Sequence, residues 1–415
     1  MRARLILAAL AVSTFLYVTT ETLPIGLLPQ IAGGLGVHPS GVGLLVTAYG
    51  LVVVLATIPL TRLTQRWPRR RLLTTVLLIA TVATVVSALA PNYPVLLAGR
   101  IAAALSQALF WAVVTPAAAA LFRPQVRGKA IGILYAGSSV APLLGVPAGT
   151  WLGQQAGWRL PFLALAGLAL TVSVVIVTLM PDLPRGTSDA ERGTAPDAGR
   201  YRVVVAATAI SVTGALTAFT CVTPYLTSVV GLDEAATGPV LLLRGAAGLL
   251  GAVLAGFLVQ RYARHLMAVL VGVQALALAA QYLLADFVVP AVLAIAVAGL
   301  VLSGLTTVLG ARVLEVAPAG TDLASAGMST AFNVGITAGA LLGSYLLAVA
   351  DIRASALVAA LISGVGLAVA AAEGRFARPQ PRSLAGCFAH SPDWSQASWR
   401  WSHPRGTAVT TTLSR

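Results

Sequence analysis

Charge is scarce in this chain: only 10% of its 415 residues are Asp, Glu, Lys or Arg. A soluble protein of that length needs far more charged surface, so a water-exposed globular fold is excluded. Lysine is almost missing, with Lys129 alone among 27 basic residues. Cysteine is limited to Cys221 and Cys387, which gives neither a disulfide framework nor metal-ligand spacing, and no metal site is expected. The four histidines, His38, His265, His390 and His403, fall outside the apolar runs or at their edges, so a buried catalytic centre has little to be built from. There is also no glycine-rich phosphate loop ending in Lys, which rules out ATP-driven work within the chain and implies no nucleotide cofactor. An enzyme is not expected.

What the chain does have is apolar length. Hydrophobic residues make up 58% of it and the mean hydropathy is +0.88. Runs of 18 or more apolar residues identify transmembrane helices, whereas barrel strands would be about 10 residues long and alternating. Twelve spans follow, at 5–28, 42–61, 72–90, 95–119, 130–152, 160–180, 203–227, 237–259, 266–285, 289–311, 328–349 and 354–372. The basic start and first apolar run could pass for a signal peptide, but the run reaches Leu28 without a cleavage site and is taken as a retained span.

The net charge of +14 is not a nucleic-acid stripe, because the arginines cluster in short loops between spans. With the amino terminus in the cytoplasm, 23 of the 27 basic residues lie on that side, Arg159 and Arg353 lie outside, and Arg100 and Arg244 lie within spans. Both termini are therefore expected in the cytoplasm. Residues 181–202 form the longest connection, polar and mixed in charge, and divide the spans six and six as a flexible linker. The expected units are an N-terminal bundle over 1–180, a C-terminal bundle over 203–373 and a disordered tail over 374–415. The halves repeat: TRLTQRWPRR at 61–70 aligns with GFLVQRYARH at 256–265, and Gly145 and Gly149 align with Gly339 and Gly343 at an offset of 194. Such duplication implies parallel bundles with a substrate site between them near the midplane.

The fifth span carries Gly137, Pro142, Gly145, Pro147, Gly149 and Gly153. Glycines four apart share a helix face and admit a close neighbour, while each proline bends the helix. This face, with Gly335, Gly339 and Gly343 of the eleventh span, is expected to be the seam between two moving bodies. Gly132, outside that spacing, is expected to tolerate bulk.

APLLGVPAG in the fifth span resembles the antiporter motif of the major facilitator superfamily, and TRLTQRWPRR resembles its cytoplasmic loop motif. LAGRIAAALSQALFW at 97–111 is similar to its fourth-span motif, with Arg100 in the arginine position. FLYVTTETLPIGLLPQIA at 15–32, GWRLPF at 157–162 and AFNVGITAGALLGS at 331–344 resemble the drug–proton antiporters, nearest the bacterial chloramphenicol-resistance and sugar-efflux branch. The resemblance covers residues 1 to about 372. It implies the all-α major facilitator fold, twelve helices in two six-helix bundles, in a bacterial inner membrane, acting as a monomer. The loop motif departs from the family: Gln65 stands at its aspartate and Pro68 at its second glycine, while Arg66, Arg69 and Arg70 remain.

Glu21 is the one carboxylate deep within a predicted span. A charge there costs roughly 2.5–3.5 kcal/mol on insertion scales and is seldom kept without a partner or a role. Burial penalises its charged form and a nearby cation favours it, the opposed pulls a proton-carrying group needs; a permanently paired Glu that only locks helices is the alternative. Arg100, at matching depth, is the expected partner, the other reading being a side chain snorkelling outward. Arg244 is left open between receiving a polar or anionic substrate group and donating to backbone carbonyls. Tyr17, Phe110, Trp111, Phe219, Tyr225 and Asn333 are candidates for a pocket with apolar walls and polar handles. Taken together, these residues imply export of a small amphipathic compound, a drug or antibiotic such as chloramphenicol, in exchange for protons. Sugar or metabolite efflux, or transport uncoupled from protons, are the alternatives.

Overall fold

A computed structural model describes residues 2–181, 193–318 and 320–373; Met1, residues 182–192, 319 and the tail from 374 lie outside it, and with them most of the expected linker and the whole tail. Every described span is helical, as a bilayer demands, because a helix satisfies its own backbone polar groups. The first half contains α1 (Arg2–Gly26), α2 (Pro39–Leu63), α3 (Arg69–Ala88), α4 (Tyr93–Ala120), α5 (Arg127–Ala156) and α6 (Arg159–Leu179). The second half begins with α7 (Ala198–Thr220), followed by one helical run, Glu234–Leu283. That run bends at Tyr262, where the backbone leaves the helical region (φ −132°, ψ 21°), so it supplies α8 before the bend and α9 after it. Three further helices complete the set, α10 (Val288–Val316), α11 (Thr321–Val349) and α12 (Ile352–Ala372).

The twelve helices form two six-helix bundles. One face of the molecule collects the turns after α2, α4 and α8 together with most of the described arginines, and is called here the arginine face. The opposite face carries the turns after α1, α3 and α5, the last of them turning at Gly157 with φ 86°. There Trp158 is buried, and Arg159 lies over its ring at 4.4 Å while donating to the Ala90 carbonyl at 3.0 Å.

Two expectations about the chain shift. The helix α7 starts at Ala198, five residues before the expected span, because the Asp197 carboxylate accepts from the Gly199 and Arg200 amides and caps it. The stretch before it is not free, since the amides of Gly193, Ala195 and Asp197 donate to the carbonyls of Ala317, Glu315 and Val316. The proline-rich part of α5 does bend, through a widened π turn at Ala141–Gly145 that keeps the span continuous.

The halves meet at the arginine face and part at the other. Near the arginine face Ala326 of α11 packs into the first half's main core. At the opposite face each half closes its own apolar cluster, Leu23, Leu27, Val42 and Phe162 in one and Val222, Leu226, Val240 and Ile295 in the other. The apolar clusters at that face are thus separate, one belonging to each half.

Candidate functional site

The polar centre of the first half is built on three helices. Glu21 of α1 is half-buried, and its carboxylate Oε2 accepts from Gln107 Nε2 at 2.8 Å. Gln107 Oε1 accepts in turn from the Tyr49 hydroxyl of α2 at 2.8 Å. The Arg100 guanidinium, 1% exposed, lies 4.5 Å from the Tyr49 ring centroid. It donates to the backbone carbonyls of Thr20 (2.7 Å) and Glu21 (3.1 Å) rather than to the Glu21 carboxylate. The expected Glu21–Arg100 contact is thus corrected in form: the two residues adjoin, but the carboxylate's hydrogen bond comes from a neutral amide. Carbonyls of α1 hold Arg100 inward, so it does not snorkel.

Gln107 and Tyr49 were not singled out in the sequence. Gln107 is seven residues from Arg100, two turns along the same face of α4, and that spacing was its available signal. Nothing local marks Tyr49.

The expected aromatic pocket does not assemble as one wall. Tyr17 is buried against Phe110, with ring centroids 4.3 Å apart, and its hydroxyl is 3.1 Å from Ser106 Oγ and 3.2 Å from the Val76 carbonyl. Phe110 is fully buried, and Tyr225 is buried with its hydroxyl donating to the Gln281 carbonyl. Asn333 is also buried and donates to the Ser329 carbonyl of its own helix at 2.9 Å. These four side chains stabilise their bundles. Trp111 is half-buried and stacks on Tyr135 at 6.0 Å. In the second half Phe219 is 36% exposed, and the Arg244 guanidinium lies 4.0 Å from its ring centroid.

The glycine faces dock elsewhere than expected. A Cβ on Gly137 would fall 2.1 Å from the Ala11 carbonyl; one on Gly145 would meet Thr19 and Phe15, one on Gly149 Leu23 and one on Gly153 Leu27. This face of α5 rests on α1 within its own bundle. Its counterpart on α11 behaves alike: Gly335, Gly339 and Gly343 lie against Ala209, Thr213 and Thr217 of α7, so the internal repeat holds in three dimensions. The glycines at the start of α5 do approach the other bundle closely. A Cβ on Gly132 would be 2.8 Å from the Gly256 Cα of α8, and one on Gly128 would be 3.0 Å from the Gly256 carbonyl. Gly132, where bulk is expected from the sequence to matter less, meets the Gly256 backbone more closely than Gly128 does.

A second link between the halves is ionic. Arg69 of the loop motif reaches Asp322 of α11 at 3.1 Å and Thr321 Oγ1 at 3.3 Å, joining the two halves. Asp322 and Glu373, at helix ends rather than deep in a span, are both buried as well. Glu373 pairs with Arg312 and, at 3.2 Å, with Arg200. Of the other loop residues, Arg66 and Gln65 stay at the surface, and Arg70 donates to the Val177 carbonyl at 2.6 Å.

The sequence profile of the Major Facilitator Superfamily matches residues 10–222 and again 204–386. The chain belongs to the major facilitator superfamily. A chloramphenicol efflux pump of Mycobacterium tuberculosis is 35% identical over 353 residues, spanning 82% of this chain and 85% of the relative. Among solved structures, the human organic anion transporter MFSD10 superposes with a TM-score of 0.71 at 13% identity, covering 89% of this chain and 99% of that one. FucP, in its outward conformation, gives 0.71 at 15% identity, covering 90% and 99%. At these identities the two structures establish the fold alone. As a major facilitator protein the chain is a multi-pass membrane transporter of a small-molecule substrate and not an enzyme.

Proposed function

We propose that this transporter exports a small amphipathic compound, a drug of the chloramphenicol kind, in exchange for protons. The observation that carries the reading is the Glu21 carboxylate, half-buried in α1, hydrogen-bonded to a neutral amide, with a fixed cation on its own backbone. That carboxylate can gain and lose a proton without an ion pair having to break. Arg100 sets the local field, Gln107 orients the acid, and Tyr49 connects the two. The sequence likeness to a chloramphenicol efflux pump supports the substrate class.

The excess of arginine on one face supports a cytoplasmic placement for it, with both termini inside a bacterial cell membrane. The substrate path then opens outward at the opposite face, and the contacts of Gly132, Gly256, Arg69 and Asp322 form the closed inner gate. Alternating access rocks the bundle 1–180 against the bundle 203–373, joined through 181–202, as the proton from outside is taken up on Glu21 and released inside. Trp111, Phe219 and Arg244 are the substrate-facing members of the predicted set.

Glu21→Gln keeps the shape and removes the titration. In proteoliposomes it should abolish export of chloramphenicol against a gradient while leaving exchange down a gradient. A Gln variant that still concentrates the drug would end the assignment of Glu21 as the coupling acid.

A further inference from the structure

Arg244 has no role in the polar centre just described. It lies in α8, ten residues from the helix start at Glu234, roughly 15 Å along the axis from the opposite face. Among the described residues it has no hydrogen-bond acceptor and no carboxylate, whereas the buried span arginines Arg100 and Arg312 are both bonded. The backbone-carbonyl role left open by the sequence is therefore not taken up. Its nitrogens are also not among the sealed polar atoms that lack a partner, so they face accessible space. A guanidinium kept in a membrane span, with no acceptor among the described residues and with nitrogens that keep some accessible surface, is aimed at something that is not protein.

Two neighbours make the position a built one. The Phe219 ring lies behind the guanidinium at 4.0 Å and fixes its plane. Gly299 of α10 makes room for the stem: a Cβ there would stand 2.6 Å from Arg244 Cγ. A planar fork backed by an aromatic face suits a group with two coplanar oxygens, and the exposed part of the Phe219 ring suits an aromatic or apolar body attached to it.

We propose that Arg244 and Phe219 form the receiving site for a planar, oxygen-bearing acceptor group, a carboxylate or a nitro group, carried on an aromatic substrate. The inference rests on the export reading above and specifies its substrate class. In the transport cycle Arg244, on the second bundle, holds the substrate's polar end, while Glu21, on the first, carries the proton.

The test is equilibrium binding to the full-length protein in nanodiscs, followed by tryptophan quenching, with naphthoate and its neutral counterpart naphthamide as probes. The wild type should bind naphthoate more tightly by about tenfold or more, the scale of a hydrogen bond to a charged group. Arg244→Gln should erase that preference and leave naphthamide within about twofold, while Arg244→Lys, which keeps the charge but loses the fork, should retain part of it. Phe219→Leu should weaken both probes together. Equal binding of the two probes by wild type, no binding of either, or equal loss of both in Arg244→Gln would overturn the proposal. Glu21→Gln separates the two readings: it should leave the naphthoate preference intact, so a failure of proton coupling and a failure of the Arg244 site give different results.

Discussion

The two ends of α5 carry glycines for different purposes. Toward the arginine face Gly132 lies against the backbone of α8, and the residue it meets is itself a glycine, Gly256. Toward the opposite face Gly145, Gly149 and Gly153 lie against side chains of α1, those of Thr19, Leu23 and Leu27. A side chain can turn away from an added methyl group, whereas a backbone can only retreat with its whole helix. The first contact crosses between bundles and must open for an exported substrate to enter on that side. The second holds α5 to its own bundle and can persist through the cycle. Close glycine spacing therefore marks a tight face without saying whether the face moves.

The largest effect is expected where backbone meets backbone. Gly132→Leu or Gly256→Leu inserts a side chain where even a Cβ lies at 2.8 Å from a Cα, so the arginine face cannot close. Overpacking of this kind costs about 1–3 kcal/mol, charged here to one state only, and that shifts a two-state balance by roughly 5- to 150-fold. Spin labels on the exposed Arg66 and Arg264 sites, in opposite halves, should move apart, and uphill export should be lost. Unchanged label distances would remove this crossing from the gate.

A smaller effect is expected from the ion pair that also joins the halves. In the family's loop motif an aspartate stands where this chain has Gln65, yet a charged link between the halves survives through Arg69 and Asp322. Both side chains keep about a tenth of their surface exposed, so solvent weakens the pair. Asp322→Asn should cost the closed face about 1 kcal/mol, between the values for surface and buried pairs. The labelled distances should broaden without shifting fully, and export should fall about fivefold. A loss as complete as that of Gly132→Leu would mean that charge, not packing, governs closure.

The sequence made the spans, the duplication and the family legible because each rests on length, spacing or residue type. The twelve-span count holds even though α8 and α9 run on through Tyr262, since the bend falls where the repeat places a turn. Partners were not legible. These helices are apolar on nearly every side, so periodicity does not say which neighbour a face meets. That is why Gly145 was assigned to the moving seam and Gly132 was not. The same gap hid Glu373 and Asp322, acids near span ends whose cations come from distant segments. Arg100 and Glu21 were found because charge in a span is rare, while Gln107 and Tyr49, neutral and common, carried no such flag.

The smallest effect tests the other end of α5. Gly149→Ala adds one methyl group, which would lie 2.5 Å from Leu23 Cδ1, with the next Leu23 atoms already at 3.8 and 3.9 Å. One flexible methyl must shift, within a cluster where Leu23 is fully buried, so about 1 kcal/mol of overpacking is expected. Against it stands a gain of roughly 0.5–1 kcal/mol from replacing glycine inside a helix. The two nearly cancel, and thermal stability in detergent should change little. Gly132→Ala adds the same methyl group and the same helical gain, but meets a Cα that cannot rotate aside. It should widen the Arg66–Arg264 label distance, whereas Gly149→Ala should leave that distance as in wild type. Equal widening in both variants would place the α5–α1 contact in the moving surface, and the division of α5 into a gate half and an anchor half would have to be given up.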